Sequence, residues 1–332
     1  MKKRTVVLVV LLLILAAGAA LVYEALFARN HFSARVTLTV PAGSRASSIA
    51  DSLEHAGVLR SRALFFIALR LMGKEGELHP GVYELVPHSS NRDIILSLAG
   101  ARGRHSEVTF PEGITSMAIA HIAGVHLGTD SAKFVALVHD TTFIRSLGVA
   151  ANSLEGYLFP ETYVFDLPVQ ERDVVARMVR MMDRFLDDTL RARIAALGVK
   201  EQQALTMASI VEGEAVADTE RARIAGVYCN RVHKHMRLEA DPTIQYILGV
   251  PRRLSYADLQ IDSPYNTYMH EGLPPTPINN PGRRSIYAAL YPEENEYLYF
   301  VAKGDGSQTH RFSRTLEEHA RAVAQYRKER DR

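Results

Sequence analysis

The chain has 332 residues, of which 47% are hydrophobic and 23% charged, so it is long enough for two modest domains that each bury a core. Its 39 basic and 37 acidic residues give a formal net charge of +2, and this balance argues against a nucleic-acid partner. The single cysteine, Cys229, excludes an intrachain disulfide and is expected to be a small buried residue.

The first residues combine a basic cluster with a long uncharged run. Residues 1–4 include three basic side chains, and residues 5–23 contain none that is charged. As a helix, the uncharged run would extend about 28 Å, close to the thickness of a membrane's hydrocarbon layer. We therefore predict a cytoplasmic tail at 1–4, a single anchor at 5–23 in the inner membrane and, by the positive-inside rule, a periplasmic remainder. Small residues at 16–20 leave a cleaved signal peptide as the alternative, which also exports the body of the protein.

A short connector at 24–34 precedes a small α+β unit, predicted at 35–104. Its strands are indicated by short runs of β-branched residues, and its helices by apolar residues that recur on one face. This unit resembles the LysM-like module that often accompanies enzymes of the cell wall. The predicted elements are a strand at 36–40, a helix after a Ser44 cap with Ile49, Ala50 and Leu53 on one face, a helix at 61–72, a strand at 81–85 and a helix at 90–98.

Residues 105–330 contain no low-complexity linker, so we predict one mixed α+β domain there. With the anchor and the small module before it, the whole chain is predicted to be of the α+β class. The regular patterns in this domain are a helical stripe over 171–197 that Gly198 ends, a helix from 201 into the low 210s, a strand at 297–302 that pairs with 310–313, and a capping box of Thr315 and Glu318 before a final helix.

The strongest chemical signal is a carboxylate at the end of an apolar helix. Residues 204–212 are apolar almost all round, which predicts a helix buried inside the domain, and Glu212 ends this run. A carboxyl group in such surroundings loses hydration, which disfavours its charged form and suits it to act as a general acid. The alternative is a structural ion pair with Arg221 or Arg223. Glu214 lies about 200° further round the helix and is expected to be solvated or paired.

Three loop-like segments rich in Pro, Asn and Tyr follow, at 241–243, 265–268 and 272–278. Aromatic faces pack on sugar C–H groups and amides bind hydroxyls, so these segments are candidates for sugar contacts; irregular structure that covers the core is the other interpretation. His233 and His235 have no carboxylate or cysteine partner at a familiar ligand spacing, so no metal is predicted. No phosphate-binding glycine loop or serine-hydrolase elbow is present, and no cofactor is predicted.

Several motifs in the second domain resemble, in the same order, those of the endolytic murein transglycosylase family, also called YceG-like. They cover the chain from about residue 105 to 320. Gly213, Glu239 and Thr276 stand where other residues are common in the family, which affects substrate details and not the reaction. The matching motifs are residues 154–163, 208–212, 241–243, 265–268, 272–275, 280–282 and 312–319.

This resemblance implies cleavage of the β-1,4 bond between N-acetylmuramic acid and N-acetylglucosamine in nascent peptidoglycan strands. Glu212 would protonate the leaving oxygen and then take the proton of the muramic C6 hydroxyl, which closes a 1,6-anhydro ring without water. Such cleavage would limit strand length beside the peptidoglycan synthases, which are the implied protein partners. The residues expected to contact the sugar are Tyr265, Asn266 and Tyr268, and those expected to bind or brace the site are Glu155 and Asp241.

Two alternatives stay open at this point. A hydrolytic muramidase would need a second carboxylate to place water, for which Glu155 and Glu161 are the first candidates. A non-catalytic scaffold would bind the wall and recruit synthases, and its wall binding would not depend on Glu212.

Overall fold

The computed structural model describes residues 2–41, 43–100 and 105–330, and its contacts divide the chain into two units. The first unit comprises Met1–Val108 and Tyr163–Val169, and the second comprises the remaining residues. The first unit thus includes Tyr163–Val169, which a single domain boundary at residue 104 would have placed in the second unit. Met1 of the predicted tail and residues 101–104 at the predicted boundary lie outside the described part. The mixed α+β class is confirmed.

The first helix, α1 (Lys2–Leu26), carries the apolar run. Within it, Val6–Leu26 has a mean hydropathy of 3.0 and none of its most apolar window is buried. A helix with that length and composition is consistent with a membrane anchor or a signal sequence.

The predicted connector is part of the core of the first unit. Ala25, at the end of α1, is fully buried, and its carbonyl accepts a 2.9 Å hydrogen bond from the Asn91 amide. The buried Asn30 amide donates to Asn91 (3.1 Å) and to the Ser89 carbonyl (3.0 Å), and it accepts from the Arg60 backbone N–H (2.9 Å). The end of α1 is therefore bound to this unit through satisfied buried amides and not through a loose linker.

The first unit forms a two-stranded antiparallel sheet covered by helices. Pairing runs from Val36 opposite Leu85 to Val40 opposite Gly81, and strand alternation directs Leu38 and Leu85 into the core. All five elements predicted for this unit are confirmed, although Arg45 and not Ser44 occupies the cap position. The elements are β1 (Val36–Val40), α2 (Ala46–His55), α3 (Arg62–Leu71), β2 (Gly81–Leu85), α4 (Asn91–Gly100), and the paired strands β3 (His105–Thr109) and β4 (Thr162–Asp166).

The second unit is mainly helical, with one strand pair near its C-terminal end. The helix predicted over 171–197 is two helices, because the Asp187 side chain accepts from the Leu190 N–H (2.9 Å) and starts a new one. The elements are α5 (Ser116–Leu127), α6 (Ser131–His139), α7 (Thr141–Ser146), α8 (Glu171–Phe185), α9 (Asp188–Ala196), α10 (Glu201–Glu214), α11 (Arg221–His233), α12 (Asp241–Leu248), α13 (Arg283–Leu290), β5 (Tyr299–Ala302), β6 (His310–Ser313) and α14 (Leu316–Arg330).

Helix α10 lies at the centre of the second unit and packs against α11, α12 and α13. Every residue from Ala204 to Val211 is buried, so the prediction of a buried helix is confirmed. The helix ends at Glu214, because Ala215 has an extended backbone. Its last turn thereby carries two carboxylates that emerge on different faces.

Candidate active site

Glu212 forms a buried ion pair. Its carboxylate accepts from the Arg221 guanidinium (3.1 Å) and from the Gly282 backbone N–H (2.9 Å), and its side chain is 7% exposed. Arg221 also donates to Ser285 (2.6 Å) and Asp218 (2.9 Å). Both oxygens of the carboxylate are thus engaged by donors, one from α11 and one from the 282 region. The expected apolar surroundings for this group are therefore wrong, and the alternative of an ion pair with Arg221 is confirmed.

Glu214 has the surroundings that had been expected for Glu212. Its carboxyl accepts a 3.0 Å hydrogen bond from the Tyr228 hydroxyl, and no ion pair to it lies within 4 Å among the described residues. The pKa of Glu214 is raised to about 7, with burial as the largest cause; the hydrogen bond from Tyr228 opposes this rise, and the negative charge of Asp241 contributes to it. A carboxyl with this pKa is largely protonated just below neutral pH, so Glu214 can act as a general acid.

Glu214 lines a cavity of about 400 Å³. The volume is within the usual range for small-ligand sites. Side chains from α11, from the start of α12, from the 268 region, from the β5–β6 hairpin and from α14 complete the walls. The lining residues are Glu214, Tyr228, Arg231, Leu238, Glu239, Asp241, Tyr268, Phe300, Val301, Ala302, His310 and His319.

Two of the predicted site residues reach this cavity together. The Tyr268 hydroxyl donates a 2.5 Å hydrogen bond to Asp241, the first residue of α12. A second contact holds the same loop, since Arg237 donates to the Tyr268 carbonyl (3.1 Å). The structure thus brings Asp241 and Tyr268 beside Glu214, as a braced polar wall.

The other two predicted sugar contacts lie elsewhere. Asn266 is fully buried, and its amide donates to two backbone carbonyls within residues 259–261. With no exposed area in this conformation, the Asn266 side chain holds the loop, and its expected contact with the sugar stays a prediction. The Tyr265 ring lies tilted against the ring of Tyr246, with centroids 5.0 Å apart, and its hydroxyl forms a hydrogen bond with the Thr276 hydroxyl (2.7 Å). It does not line the cavity.

Glu155 is a buried brace. Its carboxyl accepts from the Ser116 N–H (2.9 Å) and hydroxyl (2.7 Å), at the start of α5, and from the Asn280 amide (2.9 Å). Burial raises the pKa of Glu155 to about 7, and the hydrogen bonds from Ser116 and Asn280 lower it. Asn280 lies two residues before Gly282, which binds Glu212. Glu155 therefore supports the segment that holds the ion pair.

Neither carboxylate proposed as a second acidic partner lines the cavity. Glu161 is exposed and its nearest cationic partner in the described structure is Arg283, at 3.5 Å. Residues that sequence reasoning missed include Tyr228 and Arg231. His319 ends a recognised motif, and this was the one signal that could have pointed to its place in the cavity wall.

A known protein family matches most of this chain. The model of a family described as the YceG-like family matches residues 38–325. The chain belongs to this family. This YceG-like chain is 35% identical, over 308 residues, to a protein from Bacillus subtilis (strain 168) named endolytic murein transglycosylase, with 88% of this chain and 84% of that protein covered.

Two further relatives agree with this assignment. A protein of the same name from Streptococcus pneumoniae serotype 2 is 31% identical over 323 residues, which cover 88% of this chain and 58% of that longer protein. A crystal structure of a YceG-like protein from Listeria monocytogenes superposes with a TM-score of 0.61 at 34% identity, covering 87% of this chain and 99% of that one. The fold is thus shared across most of both chains.

Proposed function

We propose that this YceG-like protein is an endolytic murein transglycosylase, which cleaves peptidoglycan glycan strands at the muramic β-1,4 bond and leaves a 1,6-anhydro end. The observation that carries the proposal is the Glu214 carboxyl, with a pKa of about 7, in the wall of a cavity that also presents Asp241 and Tyr268. The name of the relatives from Bacillus and Streptococcus supports the same reaction.

Glu214, and not Glu212, is the acid/base in this proposal. A general acid must carry a proton near neutral pH and must face the space that the substrate occupies. Glu214 meets both requirements, whereas the Glu212 carboxylate faces Arg221 and Gly282 and is not in the cavity wall. Glu212 is then a structural group that holds α10, α11 and the 282 region together.

The chain's own groups suffice for the two proton transfers. Protonated Glu214 gives its proton to the leaving glycosidic oxygen as positive charge develops at the muramic C1. The resulting carboxylate then takes the proton of that sugar's C6 hydroxyl, whose oxygen attacks C1 and closes the anhydro ring. Tyr228 keeps the carboxyl in position through its hydrogen bond, and Asp241 supplies negative charge in the same cavity in which the positive charge develops. One carboxylate serves both steps because no water has to be activated.

A hydrolytic muramidase would need a second carboxylate to activate water or to form a covalent intermediate. In the cavity wall, Asp241 is bound by the Tyr268 hydroxyl at 2.5 Å, and Glu239 is bound by Arg231 at 3.1 Å. The names of the relatives favour the lytic reaction over hydrolysis, and over a scaffold without activity.

The proposed location is the inner membrane, and the proposed partners are the peptidoglycan synthases. Helix α1 is retained as an inner-membrane anchor with a cytoplasmic N-terminus, which its apolar run and the basic residues before it support. The catalytic unit is then periplasmic, near nascent strands and the peptidoglycan synthases. The small α+β unit is a LysM-like module, which its strand–helix–helix–strand order supports.

Mass spectrometry of digested peptidoglycan tests the reaction and the acid together. The full chain is used in detergent, because a truncation at residue 29 would remove Ala25 from the core of the first unit. Wild type is expected to give anhydro-muramic ends, Glu214→Gln none, and Glu212→Gln some, with folding of each variant checked by circular dichroism. Reducing ends from the wild type would establish a hydrolase. Activity in Glu214→Gln, with none in a folded Glu212→Gln, would return the acid role to Glu212.

A further inference from the structure

A second cavity shares a wall residue with the first. It has a volume of about 470 Å³ and lies between the β5–β6 hairpin and α14. The shared residue is His310, on β6. A single ligand with parts in both cavities would therefore pass beside His310.

The second cavity is basic. Lys303, Arg311 and Arg321 line it, against one acidic residue, Glu318. Arg311 is neutralised by Glu329, with two contacts of 3.1 and 3.2 Å. Neither Lys303 nor Arg321 has an ion pair within 4 Å among the residues that the structure describes. Asp305 attracts Lys303 and Glu317 attracts Arg321 at longer range, without an ion pair, so both cations can still bind an anionic ligand.

The first cavity has the opposite charge. Asp241 gives it a negative charge, whereas Glu239 and Arg231 are paired at 3.1 Å and Glu214 holds a proton in the proposed acid role. An anionic substituent is disfavoured beside Asp241 and favoured beside Lys303 and Arg321. The charge difference orients a neutral sugar chain that carries an acidic branch, with the sugar in the first cavity and the branch in the second.

We propose that the second cavity binds carboxylates of the stem peptide carried by the muramic sugar, so that the enzyme prefers glycan strands whose peptides are still attached. The proposal rests on the proposed function, since it takes the glycan to occupy the first cavity. The lactyl group of muramic acid links the peptide to the sugar ring, and the peptide presents free carboxylates within a few residues of that link. Lys303 and Arg321 bind them as charge-assisted partners.

The test compares two substrates and three proteins. Uncrosslinked glycan strands are used with their peptides and after removal of the peptides by an amidase, and anhydro ends are counted over time. The proteins are the full chain in detergent, the double variant Lys303→Gln/Arg321→Gln, and the control Arg327→Gln/Lys328→Gln. The control removes the same charge from exposed positions on α14 that do not line the cavity.

Wild type is expected to have a higher kcat/KM on strands with peptides than on bare strands. The double variant is expected to lose about fivefold to tenfold of that preference, through KM, and the control to keep it. Equal kcat/KM of the wild type on both substrates, or an equal loss by the double variant and its control, would overturn the inference. The double variant could instead lose binding to a phosphate-rich wall polymer, while removal of the peptides leaves kcat/KM unchanged. That result would overturn the proposal and identify the polymer's phosphates as the ligand of the second cavity. Absence of anhydro ends from the wild type on both substrates is a different outcome, which refutes the proposed function itself.

Discussion

The hydroxyl of Tyr228, on α11, donates a 3.0 Å hydrogen bond to the carboxyl of Glu214, the last residue of α10. Tyr228 is buried, and the bond joins two helices that pack side by side. It is the contact that holds the proposed acid at the edge of the cavity. The bond also lowers the pKa of Glu214, because a hydrogen-bond donor to a carboxylate favours its charged form.

Replacement of Tyr228 is expected to shift the alkaline limb of the pH profile to higher pH. The hydrogen bond lowers the pKa of Glu214, so Tyr228→Phe should raise that pKa above about 7 and keep the acid protonated to higher pH. The profile of kcat/KM against pH reports this group in the free enzyme. Tyr256→Phe is the control, because Tyr256 is 89% exposed. A limb that moves to lower pH in Tyr228→Phe would contradict the assignment of Glu214.

Replacement of Asp241 is expected to have the opposite effect on the same limb. The negative charge of Asp241 raises the pKa of Glu214, so Asp241→Asn should lower it and move the alkaline limb to lower pH. Activity at the optimum should also fall, because the cavity wall loses its charge and the partner of Tyr268. The measurement is the same pH profile. A limb that stays in place would show that Asp241 does not act on the titrating group.

Loss of the Glu212 carboxylate is expected to destabilise the second unit. Glu212→Gln leaves Arg221, with a side chain 11% exposed, only the half-exposed Asp218 as counter-ion, at a cost of up to about 3 kcal/mol in the free energy of unfolding. Denaturant unfolding measures this. The matched control is Glu293→Gln, which removes the partner of the more exposed Arg223 on the same helix and should cost less than about 1 kcal/mol. Equal costs for the two variants would contradict the expectation that the buried ion pair of Arg221 stabilises the fold more than the exposed ion pair of Arg223.

Stability should fall as pH rises from about 4.5 to about 7. In that range the folded chain keeps a proton on Glu155, whose pKa is about 7, while the unfolded chain has lost it from a group with an ordinary pKa of 4.5. The folded state then binds more protons, so the free energy of unfolding decreases with rising pH. Thermal melting of Glu155→Gln should show a smaller decrease, with the contribution of Glu214 remaining. A wild-type melting temperature that rises through this range would refute the buried, protonated state.

Local sequence patterns were sufficient for the small unit and for the buried helix. An alternation with a period of two is enough to recognise two strands, the β-branched run at Val36–Val40 and the run at Gly81–Leu85. Both strands have the predicted bounds. The apolar residues from Ala204 to Val211 predicted burial on every side, which α11, α12 and α13 provide. Family motifs in the correct order pointed to the reaction before any geometry was known.

The choice between two carboxylates in one turn depended on the tertiary structure. Glu212 and Glu214 differ by about 200° around the helix, so they meet different neighbours. Arg221 and Gly282 reach Glu212, whereas Tyr228 reaches Glu214 from α11. The sequence alone determined that an acidic group would end a buried helix in a cell-wall enzyme of this family. Only the packing of distant segments decided which carboxylate is bound by an arginine and which lines the cavity with a raised pKa, because proton affinity is set by the groups around a carboxyl and not by its position along the chain.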